Sequence, residues 1–196
     1  MRLYHVPRTR SIRVLWALEE AGAPYELTVL QPDERHSDEH LRRHPLGRVP
    51  VIEEDGGFVF ESGAICLHIA DAYPAAALAG PLGSHERALV YQWVFFGIAE
   101  LEPPFLDFRR SKETDASAAA TARERFHAAA VVVEHALDGH EFLVGDRFTV
   151  ADVVCGEFLG VTGHFGLTDG MPEIVAYVER LEARPARQRA EAVGGS

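Results

Sequence analysis

Residues 47–65 read GRVPVIEEDGGFVFESGAI, and the punctuation of this stretch decides the fold. Two short apolar runs, Val49–Ile52 and Phe58–Phe60, flank Asp55-Gly56-Gly57, a turn signal that joins antiparallel strands into a hairpin. Pro50 opens the first run. A proline is tolerated at a strand's first position, where its missing donor breaks no ladder bond. The other reading is a cis Val49–Pro50 bond, which turns the chain so that Val49 offers its amide and carbonyl to an extended peptide. Glu61 and Ser62 then separate the second strand from a helix predicted over about 62–73 and stopped by Pro74. The first amides of a helix lack intrahelical partners and its dipole favours an anion. Ser62 therefore reads either as an ordinary N-cap or, with those amides, as a carboxylate pocket. Glu61 is correspondingly a solvated strand end or the partner of a cation. A ligand end carrying both an ammonium and a carboxylate fits the pair.

Upstream, residues 2–6 predict a strand ended by Pro7, and SIRVLWALEEAG a helix that Gly22 stops. YELTVL, residues 25–30, completes a strand-helix-strand unit whose natural pairing is parallel with a right-handed crossover. Residues 31–48 are polar, with a turn or two of helix around Asp38–Arg43. Downstream, PAAALAGPLG, 74–83, is uncharged and rich in small residues, and reads as a linker. Beyond it only helical patterns follow, at about 84–108, 116–138, 150–163 and 172–183. Thr149-Val150-Ala151-Asp152 has the spacing of a capping box. The expected organisation is an α/β domain over 1–75, a linker over 76–84 and an all-helical domain over 85–196.

The chain has 196 residues and a formal net charge of −11, with 47% apolar residues. That excludes disorder and argues against nucleic-acid binding, because an acidic surface repels a phosphate backbone. Two cysteines, Cys66 and Cys155, sit among apolar residues and cannot make a disulfide framework. No segment approaches the roughly 20 apolar residues of a membrane span, and the N-terminus lacks the apolar core of a secretory signal. A soluble protein of a reducing compartment, the cytoplasm, is expected. HSDEH, 36–40, matches the inverted zinc-peptidase pattern, and His44 continues its spacing. The segment lacks apolar residues to bury it, so a solvated face is the better reading, and no metal site is expected.

These residues carry a family resemblance. RVPVIEEDGGFVFESGAI looks like the glutathione-binding segment of glutathione S-transferases, in which a cis valine-proline precedes a hairpin and an acidic residue plus serine. RTRSIRVLWALEEAGAPYEL is similar to the family's first helix and second strand, FLVGDRFTVADVV to its capping-box segment, and MPEIVAYVERLEARPA to its last long helix. The resemblance implies a thioredoxin-like N-terminal domain with a mixed four-stranded sheet, an all-helical C-terminal domain and a homodimer. It implies glutathione as co-substrate, with Val49 and Pro50 presenting backbone to its cysteine, Glu61 and Ser62 holding its glutamyl end, and Arg48 facing its carboxylates. Catalysis requires a hydroxyl donor aimed at the ligand sulfur near a helix N-terminus, which favours the thiolate. Thr9, four residues before Arg13, is the first choice, and Ser11 the second, although Ser11 also suits a helix cap. Tyr4 matches poorly, and no cysteine lies in this loop. The expected reaction adds the thiolate to a small apolar electrophile, a detoxification chemistry. Peroxidase, isomerase or dehalogenase chemistry, or a non-catalytic glutathione-binding module, stays open. The acceptor pocket would lie between domains, with Tyr91, Phe95, Phe105 and His164 as uncommitted candidates.

Overall fold

The computed structural model describes residues 1–194. Its chain divides into two compact units, Met1–Ala79 together with the segment from Ala183 on, and Gly80–Glu182.

In the first unit, β1 (Arg2–His5), α1 (Ser11–Ala21) and β2 (Glu26–Val29) form the expected strand-helix-strand turn, with β1 and β2 parallel and Leu3 opposite Leu27. Gly22, at φ 60°, ends α1 in the left-handed conformation that costs glycine little. After α2 (Asp38–Arg43), capped by the Ser37 hydroxyl, β3 (Val51–Glu54) and β4 (Gly57–Phe60) form the hairpin. Its loop is one residue shorter than the turn signal suggests. Asp55 and Gly56 alone make it, both at positive φ, the geometry that matches strand twist. The mixed sheet runs β2-β1-β3-β4, and α3 (Ser62–Ala72) follows β4. Leu3, Leu15, Leu18, Ile52, Ile65 and Ile69 are buried between sheet and helices. This is a thioredoxin-like α/β unit.

The register sets up the site. Tyr4 pairs with Val51, and Val51 with Phe60. The exit of β1, the entry of β3 and the exit of β4 therefore lie side by side at one end of the sheet. Whatever follows His5, precedes Val51 and follows Phe60 must converge there.

The second unit holds α4 (His85–Phe96), α5 (Glu102–Ser111), α6 (Ala116–Leu137), α7 (Val150–Gly163) and α8 (Pro172–Glu182). The single helix expected over 84–108 is α4 and α5 joined by a π-helical turn, Gly97–Leu101. Pro103 and Pro104 remove two amide donors there, which favours a wider turn over a regular one. The capping box forms. The Ala151 N–H donates to Thr149 Oγ1 at 3.2 Å, and the Thr149 N–H to Asp152 Oδ2 at 2.7 Å. Asp152 Oδ1 also accepts from the Leu143 N–H and the Tyr177 hydroxyl, each at 2.9 Å, so one carboxylate ties the 143–149 loop and α8 to α7.

The C-terminal boundary differs from the expected one. The sequence pattern places everything from 85 to 196 in the helical domain. Instead α9 (Pro185–Gly194) packs on α1 in the first unit. Arg184 makes a forked pair with Glu20 at 2.6 and 2.8 Å, Arg189 meets Glu19 at 2.7 Å, and the Arg187 guanidinium lies 5.2 Å from the Trp16 ring. No helix among the described residues is long and apolar enough to cross a membrane.

Candidate functional site

Thr9 and Ser11 belong to the segment leaving β1. Thr9 is half-buried and Ser11 fully buried, their hydroxyl oxygens 2.7 Å apart. The Thr9 hydroxyl also donates to the Val6 carbonyl at 2.6 Å. Ser11 is the first helical residue and does not cap α1, whose N-cap is Arg10. Its oxygen faces inward, 2.7 Å from His5 Nδ1, with the Val6 N–H at 3.4 Å and the Val6 carbonyl at 3.2 Å. His5 Nε2 is in turn 2.7 Å from the Gly194 carbonyl of α9. Burial lowers the His5 pKa more than that carbonyl raises it, so the imidazole is neutral at neutral pH. Of the two hydroxyls, only that of Thr9 belongs to a residue with a solvent-facing side.

Val49 and Pro50 enter the same end of the sheet, joined by a cis bond. Among the described residues, neither the N–H nor the carbonyl of Val49 has a hydrogen-bond partner. The Val49 side chain packs with Tyr4, Val6, Leu30 and Val51, which anchors the segment from behind. Arg48 is exposed, and its carbonyl accepts from His40 Nε2 at 2.9 Å.

Glu61 and Ser62 complete the convergence. Glu61 is the N-cap of α3 at φ 74°, an uncommon left-handed conformation for a residue with a Cβ, and its side chain is exposed. Ser62 opens α3 and is buried. Its hydroxyl accepts from Arg13 Nη1 at 3.5 Å. Arg13, 1% exposed on α1, thus brings a buried cation to the start of α3, where the first amides lack intrahelical partners and a negative charge is favoured.

Two features escape sequence reasoning. Arg13 serves there only to place Thr9, yet it lies on the wholly buried stretch Ser11–Leu18. The local signal is its place between Ile12 and Val14 on an apolar helix. The histidines also differ from expectation. His36, Ser37, Asp38 and Glu39 are exposed as a solvated face requires, but His40 and His44 are buried. Leu41 and Leu46 are exposed in their place. His40 holds the Arg48 carbonyl, and His44 Nδ1 accepts from the Leu46 N–H at 3.1 Å, so both rings brace the loop that leads to Val49. Among the described residues no group of three or more histidine, cysteine, aspartate or glutamate side chains is arranged to hold a metal ion.

The arrangement can bind an extended peptide by its backbone, an ammonium at Glu61, a carboxylate at the start of α3, and a thiol at Thr9. Comparison with known proteins gives the family. The family described as "Glutathione S-transferase, N-terminal domain" matches residues 1–71, and "Glutathione S-transferase, C-terminal domain" matches residues 88–185. The chain is 31% identical to glutathione S-transferase 4 of Zea mays over 192 residues, covering 90% of this chain and 85% of the other. It is 26% identical to glutathione S-transferase GstA of Escherichia coli O157:H7, covering 100% and 99%. Among solved structures, BphK, described as a bacterial GST in a ternary complex, superposes with a TM-score of 0.91 at 28% identity over the whole of both chains. A sphingomonad glutathione S-transferase complexed with glutathione superposes with a TM-score of 0.89 at 29% identity, covering 100% of this chain and 99% of the other.

Proposed function

The chain belongs to the glutathione S-transferase family and is a glutathione transferase, and on that premise we propose that Thr9 supplies the hydroxyl that activates the glutathione thiol. The observation that carries this reading is the contrast between the two hydroxyls. Ser11 is fully buried with its oxygen committed to His5, whereas half-buried Thr9 lies just before α1 and bonds Val6, which packs with Val49. A hydroxyl donor and the helix dipole both favour the ionised sulfur.

In this reading the cysteinyl backbone of glutathione pairs with the unpartnered N–H and carbonyl of Val49. The glutamyl ammonium lies at Glu61, and the glutamyl carboxylate at Ser62 and the first amides of α3, with buried Arg13 behind. Arg48, exposed on the loop braced by His40, faces the ligand's other carboxylate. The thiolate then attacks a small apolar electrophile at its electron-poor atom. The protein works as a cytoplasmic homodimer. The exposed edge strand β4, with Phe58, Val59 and Phe60 each more than a third exposed, supports a partner on that side.

Difference absorbance of the bound thiolate tests the reading. Glutathione added near neutral pH should produce the thiolate band, and Thr9→Val should lower the thiolate fraction about tenfold, which corresponds to one pKa unit. An unchanged band in Thr9→Val would transfer the role to another group.

A further inference from the structure

Two acceptors, the Gly194 carbonyl and the bare nitrogen of a neutral His5, order the protons along the chain Thr9, Ser11, His5, Gly194. A carbonyl only accepts, so His5 Nε2 carries a hydrogen and donates it to Gly194. Neutral His5 then has a bare Nδ1, and the Ser11 hydroxyl 2.7 Å away donates to it. With its own proton used, Ser11 Oγ accepts from the Val6 N–H and from the Thr9 hydroxyl, whose other acceptor is the Val6 carbonyl. In the resting chain the Ser11 and His5 protons point inward, toward α9, and the Thr9 proton lies between Ser11 Oγ and the Val6 carbonyl.

A hydroxyl that stabilises a thiolate must point outward. For Thr9 to donate to sulfur while keeping its 2.7 Å contact with Ser11, Ser11 must donate to Thr9 and His5 Nδ1 must donate to Ser11. The reversed chain differs from the resting one by a single proton on the imidazole. Ionising a thiol releases one proton.

We propose that His5 is the terminal acceptor of the glutathione thiol's proton, reached through Thr9 and Ser11. The thiol gives its proton to Thr9 Oγ1, Thr9 passes its own to Ser11 Oγ, and Ser11 passes its own to His5 Nδ1. The S–H bond and two O–H bonds break; two O–H bonds and one N–H bond form. The electron pair stays on sulfur, and nothing is oxidised or reduced. The products are a thiolate facing the Thr9 hydroxyl and an imidazolium whose Nε2–H remains on the Gly194 carbonyl. That carbonyl belongs to the C-terminal end of α9, where the helix dipole favours a cation. Burial keeps His5 neutral before glutathione arrives, and the thiolate then supplies the opposing charge. The inference rests on the reading that Thr9 meets the thiol.

Nitrogen-15 NMR of the imidazoles in the full-length protein, with the His5 signals assigned by their loss in His5→Asn, tests it directly. Glutathione should protonate Nδ1 at a pH where the thiolate band is present, and S-methylglutathione, which has no thiol proton, should leave it bare. A thiolate band with Nδ1 still bare overturns the relay. His5→Asn separates relay from positioning, because the Asn oxygen accepts from Ser11 yet cannot hold the proton. Its thiolate fraction should fall about tenfold, and a wild-type fraction would reduce His5 to a positioning residue. Thr9→Val, measured in parallel, should lower the thiolate band about tenfold and leave Nδ1 bare. If the band and the Nδ1 proton both survive, the Thr9 reading fails, and with it the route through Thr9.

Discussion

Replacing Asp152 by alanine tests the physical account of the helical unit, because structure assigns this group two opposing contributions. Its carboxylate accepts from the Leu143 N–H, the Thr149 N–H, the Thr149 hydroxyl and the Tyr177 hydroxyl. Alanine leaves these four donors in a fully buried site, each at a cost of about 1–3 kcal/mol. Against this, burial pushes the carboxyl up to about 6 from an ordinary 3.8, despite the bonds that lower it. Keeping it ionised at pH 7 therefore costs about 3 kcal/mol relative to its protonated form. The net loss in Asp152→Ala at pH 7 should be about 4 kcal/mol, allowing for donors that recover water or one another. The pH dependence is the sharper test. A group whose folded pKa is raised binds its proton first in the folded state, so its contribution to stability grows as pH falls through 6 toward 4. Between pH 7 and pH 5 the wild type gains about 1 kcal/mol from this group, and the variant does not. Urea unfolding followed by near-ultraviolet circular dichroism should show the difference between the two proteins widening by that amount at pH 5. A difference that is constant or narrows on acidification would refute the assignment of a strained, buried carboxylate.

Glu61→Gln keeps the shape of the α3 N-cap and removes the charge proposed to hold the glutamyl ammonium. Calorimetry should show glutathione affinity falling about tenfold, about 1.4 kcal/mol, with little further loss for a glutathione analogue lacking that amine. Gly156→Ala should destabilise the protein by about 1–3 kcal/mol by thermal unfolding, because an added Cβ would collide with Leu181 Cδ1, and Leu181 is packed at 1% exposure.

The elements that sequence made legible are those with local causes. Apolar spacing marks α1, Gly22 its end, Asp55-Gly56 the hairpin, and Thr149–Asp152 the start of α7. The candidate positions Val49, Pro50, Glu61 and Ser62 adjoin these signals, so their backbone setting, a cis bond and a helix start, is legible for the same reason. What stayed hidden depends on partners distant in the chain. His5 contacts a carbonyl 189 residues away, and nothing near it in sequence signals this. Arg13 looks solvent-bound until α3 brings Ser62 to it. His40 and His44 are polar by composition, yet the loop they brace needs its backbone groups satisfied, and that demand outweighs their hydrophilicity. The packing of α9 on α1 is hidden likewise, since helical periodicity says nothing of which unit a helix joins.

The docking of α9 on α1 has a consequence for biosynthesis. Residues 80–182 form a continuous segment, so the helical unit can complete its own contacts as soon as Glu182 has left the ribosome. The sheet-bearing unit begins first and must wait longest. Until Arg184 reaches Glu20 and Gly194 reaches His5, the α1 surface that they cover is open to solvent and to chaperones. Vectorial synthesis therefore reverses the order in which the units mature: the glutathione-binding end, translated earliest, acquires its final hydrogen bond from a helix made after the whole of the second unit.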